Sequence, residues 1–320
     1  MRRIVCAALL CLSLATCSCQ RKSRRIIGVV PKGASHIFWQ TVHAGAVKAG
    51  REFGFEIEWN APTLEIDSSR QIEIVDSMIN RGLDGIVLAP VDRRALVGVV
   101  ERAARQHIPV VIFDSDIDTD QRISYVATNN TEGGRMAARR LGEILGGRGK
   151  AGIIGFMPGS AATMEREEGF QDEMKKLYPR VEVLPVQFGN ADRARAMALT
   201  ENLLTANTDL AGLFADNESS TSGAVQALKA RHATNIKFVA FDASDALIAD
   251  MRAGLIDSLV VQNPFLMGYE STRMIAWKLA GKTPPARIDS GARLVKRGDL
   301  DLPEIRALLA PDIQPYLSNP

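Results

Sequence analysis

From Ile26 to Val295 the chain alternates short apolar runs of strand length with longer stretches of helical spacing, and this rhythm is its strongest constraint. Ile26–Val30, Gly85–Ala89 and Pro109–Phe113 are almost continuously apolar, as strands buried on both faces must be, while Phe55–Trp59 alternates. Between them Phe38–Gly54, Ser68–Asn80 and Arg94–Gln106 read as helices, and in the second of these Ile72, Val75, Met78 and Ile79 share one side. Ser124–Thr128 closes this series as a short strand. A second series has helices Thr131–Leu145, Met164–Leu177, Asp192–Ala206, Ser220–Arg231, Ala246–Ala253 and Met267–Leu279. They alternate with strands Ala151–Phe156, Val181–Gln187, Leu210–Ala215, Ile236–Phe241 and Ser258–Val261, and a β-prone segment, Ala292–Val295, follows.

Short apolar strands separated by helices give parallel sheets with helices on both faces. Two such series in 320 residues predict an α/β protein of two doubly wound, Rossmann-like lobes. Open sheets of this kind bind ligands beyond the carboxyl ends of their strands. The segments to inspect are therefore 31–39, 90–92, 114–118, 129–130, 157–166, 188–192, 216–219, 242–245 and 262–264. They are rich in Asp, Asn, Gln, Ser and aromatic residues, hold no cysteine, and contain one of the four histidines, His36.

All four cysteines, Cys6, Cys11, Cys17 and Cys19, fall in the first twenty residues, so the body has neither a disulfide framework nor a thiolate metal site. Arg2 and Arg3 followed by the apolar stretch Ile4–Ala15 read as an export signal, too short for a comfortable membrane span. Ala15-Thr16-Cys17-Ser18-Cys19 resembles a bacterial lipobox, with Cys19 the better lipidation candidate and Cys17 the second; an ordinary signal peptide is the alternative. On the lipoprotein reading, residues 1–18 are the signal and 19–25 a basic tether to a membrane surface. Six of the 39 Lys and Arg lie before Ile26, leaving the body with 33 basic against 37 acidic residues. A mildly acidic body gives no electrostatic reason to bind nucleic acid.

Several chemical motifs fail on context. Gly147-Arg-Gly-Lys-Ala-Gly152 matches a dinucleotide fingerprint but ends a helix and precedes a strand, the reverse of what that motif needs. Gly281-Lys-Thr283 follows a helix and has Ala276 where a phosphate loop requires glycine. Asp114, Asp116, Asp118 and Asp120 alternate like a calcium loop, but Thr119 and Tyr125 stand where Gly and Glu are needed. His43 and His232 fall inside helices and His107 on a turn, all read as solvated surface. Neither a nucleophile elbow nor a zinc-binding histidine pair is present, and no cofactor or metal site is expected.

The remaining constellation suits a neutral polyol, whose ring faces stack on aromatics and whose hydroxyls bond to Asp, Asn, Gln and Arg. Phe38 and Trp39 are the stacking candidates, and Asp114, Arg166, Asn217, Asp242 and Gln262 the edge candidates. Each has an ordinary alternative: a helix cap for Asp242, a turn for Asn217, the core for Phe38 or Trp39.

At these residues the chain resembles the periplasmic sugar-binding proteins of the ribose-binding type, which serve ABC importers. The likeness runs from Ile26 to about Lys296 and is carried by His36-Ile-Phe-Trp39 with Ala44-Gly-Ala46, Ile108–Asp114, Asn130–Gly134, Ser160-Ala-Ala with Glu165–Phe170, Asn202–Ala206, Phe214–Asn217, Val239–Asp242 and Val261-Gln262. The resemblance implies that Phe38 and Trp39 sandwich the sugar, with His36, Asp114, Arg166, Asn217, Asp242 and Gln262 at its edges. Two departures put ribose itself in doubt: Ser115 stands where such binders have arginine, and Ala191, beside Asn190, where they have an aromatic. Asp116 or Asn190 are the candidates to fill that space.

The resemblance further implies a three-stranded hinge near Thr128–Asn129, Gln262–Asn263 and Gly291. That makes 26–128 plus 263–291 one lobe, and 129–262 plus 292–320 the other with its tail. Closure of the lobes on a sugar or polyol, presentation to an ABC permease, a monomeric state and no enzymatic step are the implied function. Related transcription repressors share this ligand-binding body, but here an export signal takes the place of their DNA-binding helices. A sugar sensor for a receptor kinase or chemoreceptor is the alternative, and an exported carbohydrate enzyme the third.

Overall fold

The computed structural model describes residues 25–34 and 36–317. The leader, Cys17 and Cys19 lie outside them. The first lobe is a sheet of β1 (Ile26–Val30), β2 (Glu56–Trp59), β3 (Gly85–Leu88), β4 (Val110–Phe113), β5 (Ser124–Ala127) and β12 (Arg287–Asp289), all parallel, in the order β12-β5-β4-β3-β1-β2. The second contains β6 (Arg148–Gly155), β7 (Arg180–Val183), β8 (Gln187–Phe188), β9 (Leu210–Ala215), β10 (Lys237–Phe241), β11 (Ser258–Gln262) and β13 (Ala292–Lys296). Its order is β13-β11-β10-β9-β6-β7 with β8 also on β6, and only the edge strand β13 runs antiparallel.

The twofold side-chain period of the strands explains why each sheet needs helices on both sides. In the first lobe Ile27, Val29, Val111, Phe113 and Val126 point to one face, covered by α1 (Ile37–Phe53) and α9 (Pro264–Leu279). Val30, Ile86, Leu88, Val110 and Ile112 point to the other, under α2 (Ser68–Arg81) and α3 (Val97–Arg105). In the second lobe Ile153, Phe214, Val239, Phe241 and Val260 meet α4 (Asn130–Ile144) and α5 (Ala161–Leu177). Ile154, Leu213, Phe238, Ala240 and Leu259 meet α6 (Arg193–Ala206), α7 (Glu218–Ala230) and α8 (Asp245–Arg252).

Three helix pairs approach backbone to backbone through glycine, among them α7 on α6, where a Cβ on Gly223 would lie 2.4 Å from the Arg193 carbonyl oxygen. A Cβ on Gly268 of α9 would lie 1.9 Å from the Val42 carbonyl oxygen of α1, and one on Gly169 of α5 would lie 2.2 Å from that of Thr131 in α4. No larger residue fits any of these crossings.

The chain passes between lobes at 128–129, 263 and 290–291. At the first two, an asparagine caps the helix that opens the next lobe: Asn129 Oδ1 accepts from Glu132 N (3.1 Å), Asn263 Oδ1 from Leu266 N (3.0 Å). The first and third crossings are joined, Thr128 Oγ1 donating to the Gly291 carbonyl at 3.1 Å.

The expected elements are present, with shifts that have physical causes. The predicted strand Val181–Gln187 splits into β7 and β8 around Pro185, which cannot donate to the ladder. The helix expected from Arg94 begins at Val97, because Asp92 Oδ1 accepts from the amides of Arg94 and Ala95 and holds a turn there. Of the Gly147–Gly152 segment, read as a turn, only Gly147 is one; β6 begins at Arg148. His43 is not solvated surface: it is half-buried, and its ring stacks on Trp59 at 4.4 Å and 17°. His232 lies past the end of α7, exposed, with φ 50°.

The tail expected on the second lobe divides. α10 (Pro303–Leu309) packs Ile305, Leu308 and Leu309 on that lobe's core. α11 (Gln314–Leu317) returns to the first lobe, where Arg51 Nη1 of α1 donates to the Pro315 carbonyl (2.7 Å) and Tyr316 meets Phe265 of α9 at 5.8 Å.

Candidate functional site

The carboxyl ends of both sheets face each other across a cleft. From the first lobe it is lined by Lys32, His36, Phe38, Trp39, Glu65 and Asp114; from the second by Phe156, Thr163, Arg166, Asn217, Glu218 and Asp242, with Gln262 at the hinge. Eight of the nine residues singled out in the sequence thus line one cavity. The ninth, Asn190, does not: it lies in the neighbouring groove at the cleft mouth, with Ala191, His36 and Glu65.

Strand ends place the two aspartates. Asp114 follows β4 and Asp242 follows β10, each with a left-handed backbone (φ 60° and 65°). Each donates its amide to the carbonyl of the adjacent strand, Val126 and Val260, at 3.0 Å. A non-glycine residue at positive φ is strained, and such strain gathers where a side chain must be aimed. Asp242 does not cap α8, whose cap is Ser244. Its Oδ1 accepts from Gln262 Nε2 (2.7 Å) and its Oδ2 from the Glu218 amide (3.2 Å). Burial pushes its carboxyl above the ordinary range.

Asp114 is held instead by Lys32, whose ammonium lies 2.8 Å from Oδ2. The same nitrogen donates to Ser115 Oγ (2.6 Å) and, across the cleft, to Ser160 Oγ (3.3 Å). Ser115 Oγ also accepts from the Ala162 amide at the start of α5 (3.2 Å). The cation missing after Asp114 is therefore supplied from position 32, and neither Asp116 nor Asn190 fills that place. Asp116 turns to Arg122 at 3.3 Å.

Phe38 and Trp39 differ. Trp39 is 4% exposed and belongs to the core between sheet and α1, edge-on to Phe113. Its Nε1 donates to Glu65 Oε1 at 2.8 Å. Phe38 is half-buried and packs edge-on to Trp39 at 4.8 Å. His36 Nδ1 sits 3.1 Å from Glu65 Oε1 and 3.6 Å from Glu218 Oε2, between carboxylates of opposite lobes. Burial raises the Glu65 carboxyl, opposed by His36 and the Trp39 hydrogen bond.

On the second lobe Arg166, one turn into α5, is 2% exposed. Its Nε donates to Asn130 Oδ1 (2.9 Å) and Nη1 to the Asp216 carbonyl (2.8 Å), with Phe241 4.3 Å beneath the guanidinium. Asn217 caps α7, accepting from Ser220 N at 3.2 Å, and also lines the cavity. Behind this wall lie Glu167 and Asp216, both buried, with Asp216 Oδ2 accepting from the Phe156 amide at 3.1 Å. Burial and the neighbouring Asp216 push the Glu167 carboxyl far up, so it holds a proton.

Lys32, Glu65, Glu218 and Phe156 were not read as site residues from the sequence. Lys32 and Glu218 stand within the strand-end segments 31–39 and 216–219, and Phe156 abuts another. Glu65 lies in the loop after β2, a strand end like the others, so position alone could have flagged it.

Two doubly wound lobes, a three-stranded hinge and a polar cleft between facing strand ends define a bilobal binding protein. Residues 27–283 match the periplasmic binding protein domain, and the chain belongs to that family. It is 30% identical over 288 residues to the D-ribose/D-allose-binding protein of Pseudomonas aeruginosa, covering 87% of this chain and 89% of that protein. It is 27% identical over 273 residues to the ribose import binding protein of Bacillus subtilis, covering 85% and 88%. A carbohydrate transporter solute-binding protein from Agrobacterium radiobacter, solved in complex with D-arabinose, superposes with a TM-score of 0.87 at 30% identity, covering 90% of this chain and 99% of that one. These relatives are binding proteins rather than enzymes.

Proposed function

We propose that this protein captures a small sugar or polyol between its lobes outside the cytoplasm and hands it to an ABC importer, without chemical change. The observation that carries the reading is the set of opposed strand-end side chains converging on one cavity, Asp114 and Phe38 from the first lobe, Arg166, Asn217 and Asp242 from the second, and Gln262 between them. Hydroxyls donate to the carboxylates and accept from Arg166, and Phe38 and Phe156 offer apolar ring faces. The relatives named for ribose, and the solved one holding D-arabinose, support the ligand class.

In this reading His36 and Trp39 shape the cleft, Lys32, Glu65 and Glu218 complete it, and Asn190 stands at its entrance. The lobes are residues 26–128 with 263–291 and residues 129–262 with the following chain, closing about the crossings. The protein is a monomer carried on a lipidated Cys19, with Cys17 the alternative, and the permease reads the rims of the closed lobes.

A thermal-shift panel of pentoses, hexoses, deoxysugars and polyols tests this. A ligand present at a hundred times its Kd adds about 2.7 kcal/mol of stability, so a cognate sugar raises Tm visibly. Absence of any shift across the panel would sink the monosaccharide reading.

A further inference from the structure

The cleft is short of positive charge, and apart from Arg166 most of its donors are engaged by the protein. Glu65, Asp114, Glu218 and Asp242 line it, with Asp216 and the protonated Glu167 buried behind. Lys32 is engaged by Asp114. Arg193, at the rim, donates to both Glu218 oxygens at 3.0 Å. Arg166 acts on Asp242 and Asp216 together. Glu65 is left with His36 and the Trp39 indole. Even with His36 protonated, Arg166 answers for two carboxylates.

The donors follow the same pattern. Lys32 has three N–H groups and three protein partners, and Trp39 and Gln262 each direct an N–H to a carboxylate. Against this, Gln262 Oε1 is a buried acceptor bordering the cavity with no hydrogen-bond partner. A site with surplus acceptors and surplus negative charge is complementary to a ligand that brings a cation and several donors.

Building on the polyol reading above, we infer that the ligand carries a cationic amine, as an amino sugar or aminocyclitol does, with its ammonium seated against Glu65 and its hydroxyls on Asp242 and Gln262. An ammonium presents three donors and no acceptor; no Lys or Arg ion-pairs Glu65 or Asp242, but both Asp242 oxygens already accept, from Gln262 and the Glu218 amide, whereas the Trp39 indole and His36 both go to Glu65 Oε1.

Matched pairs test this by calorimetry at pH 7.5: glucosamine against glucose, galactosamine against galactose, an inosamine against its parent inositol, and each N-acetylated amine. The expected result is that at least one amine binds ten-fold or more tighter than its hydroxyl parent, and that N-acetylation removes the gain. Glu65→Gln, which keeps an acceptor for the Trp39 indole, is expected to bring amine and parent within about threefold; circular dichroism reports whether it is folded, and Glu65→Asp serves if it is not. A neutral parent that binds as tightly as its amine overturns the inference and leaves the polyol reading standing. If neither amines nor parents bind, the polyol reading fails, and this inference with it.

Discussion

Asp114 and Asp242 occupy equivalent places in the two lobes. Each follows a central strand, each has a left-handed backbone, and each anchors its amide on the adjacent strand. Their side chains are nevertheless secured by different physics. The first lobe uses a buried ion pair, Lys32–Asp114, with both side chains about 5% exposed. The second uses neutral donors, the Gln262 amide and the Glu218 backbone. A shared backbone solution aims the carboxylates into the cleft, while the partner decides how each responds to mutation. A charge-paired aspartate is coupled to the stability of its lobe; a donor-paired one is free to answer to the ligand.

The largest effect expected from this contrast is on folding. Asp114→Ala leaves the Lys32 ammonium buried without a counter-charge and should cost about 3–5 kcal/mol of stability. Asp242→Ala should cost less stability and appear mainly as lost ligand affinity, about 2–3 kcal/mol or some 30- to 150-fold. Denaturant titration and calorimetry on both variants separate the two; equal stability losses would break the comparison. Lys32→Met combined with Asp114→Asn should recover most of the stability lost by either alone, seen as a coupling energy in a double-mutant cycle.

The aromatic pair divides in the same way. Trp39→Ala should cost about 3–5 kcal/mol of stability as a core deletion. Phe38→Ala should leave Tm within a few degrees of wild type yet weaken binding, and a Phe38→Ala protein that unfolds like Trp39→Ala would show that both are core.

Acid and base should separate the lobes as well. His43 of the first lobe is held neutral by burial, its pKa lowered to about 4. The unfolded chain binds that proton first, so this contribution to stability is complete above about pH 6.5 and lost as pH falls towards 4. Glu167 of the second lobe has its pKa raised, so the folded state binds the proton more tightly. Its contribution is complete below about pH 4.5 and declines as pH rises through neutrality. Glu167→Gln should flatten the alkaline side of the Tm–pH curve and leave the acid side as it was; an unaltered alkaline slope counts against a raised Glu167 carboxyl.

The smallest expected effects lie at the helix crossings. Gly268→Ala and Gly169→Ala each push a methyl into a backbone carbonyl and should cost about 1–3 kcal/mol, measured by urea unfolding. The two should be similar, since both lobes use the same close approach.

The sequence was most informative where periodicity repeats. Runs such as Val110–Phe113 announce two-sided burial, and position after such a run marks Asp114 and Asp242. It was least informative where a residue's role depends on distant partners. Ser115 reads as a lost donor until Lys32, 83 positions earlier, is seen to reach it. Phe38 and Trp39 read as equivalent until the sheet beneath them buries one and not the other. Glu65 comes into the site because its loop folds over Gly33, where a Cβ would meet the Glu65 side chain at 2.5 Å.

The divided tail sets a mechanical limit. α10 is fastened to one lobe and α11 to the other, with residues 310–313 between them. A link of four residues spans at most about 14 Å when fully drawn out. The tail is therefore a strap across the joint: the lobes can part only until it is taut, and wider opening requires α11 to peel away from α1.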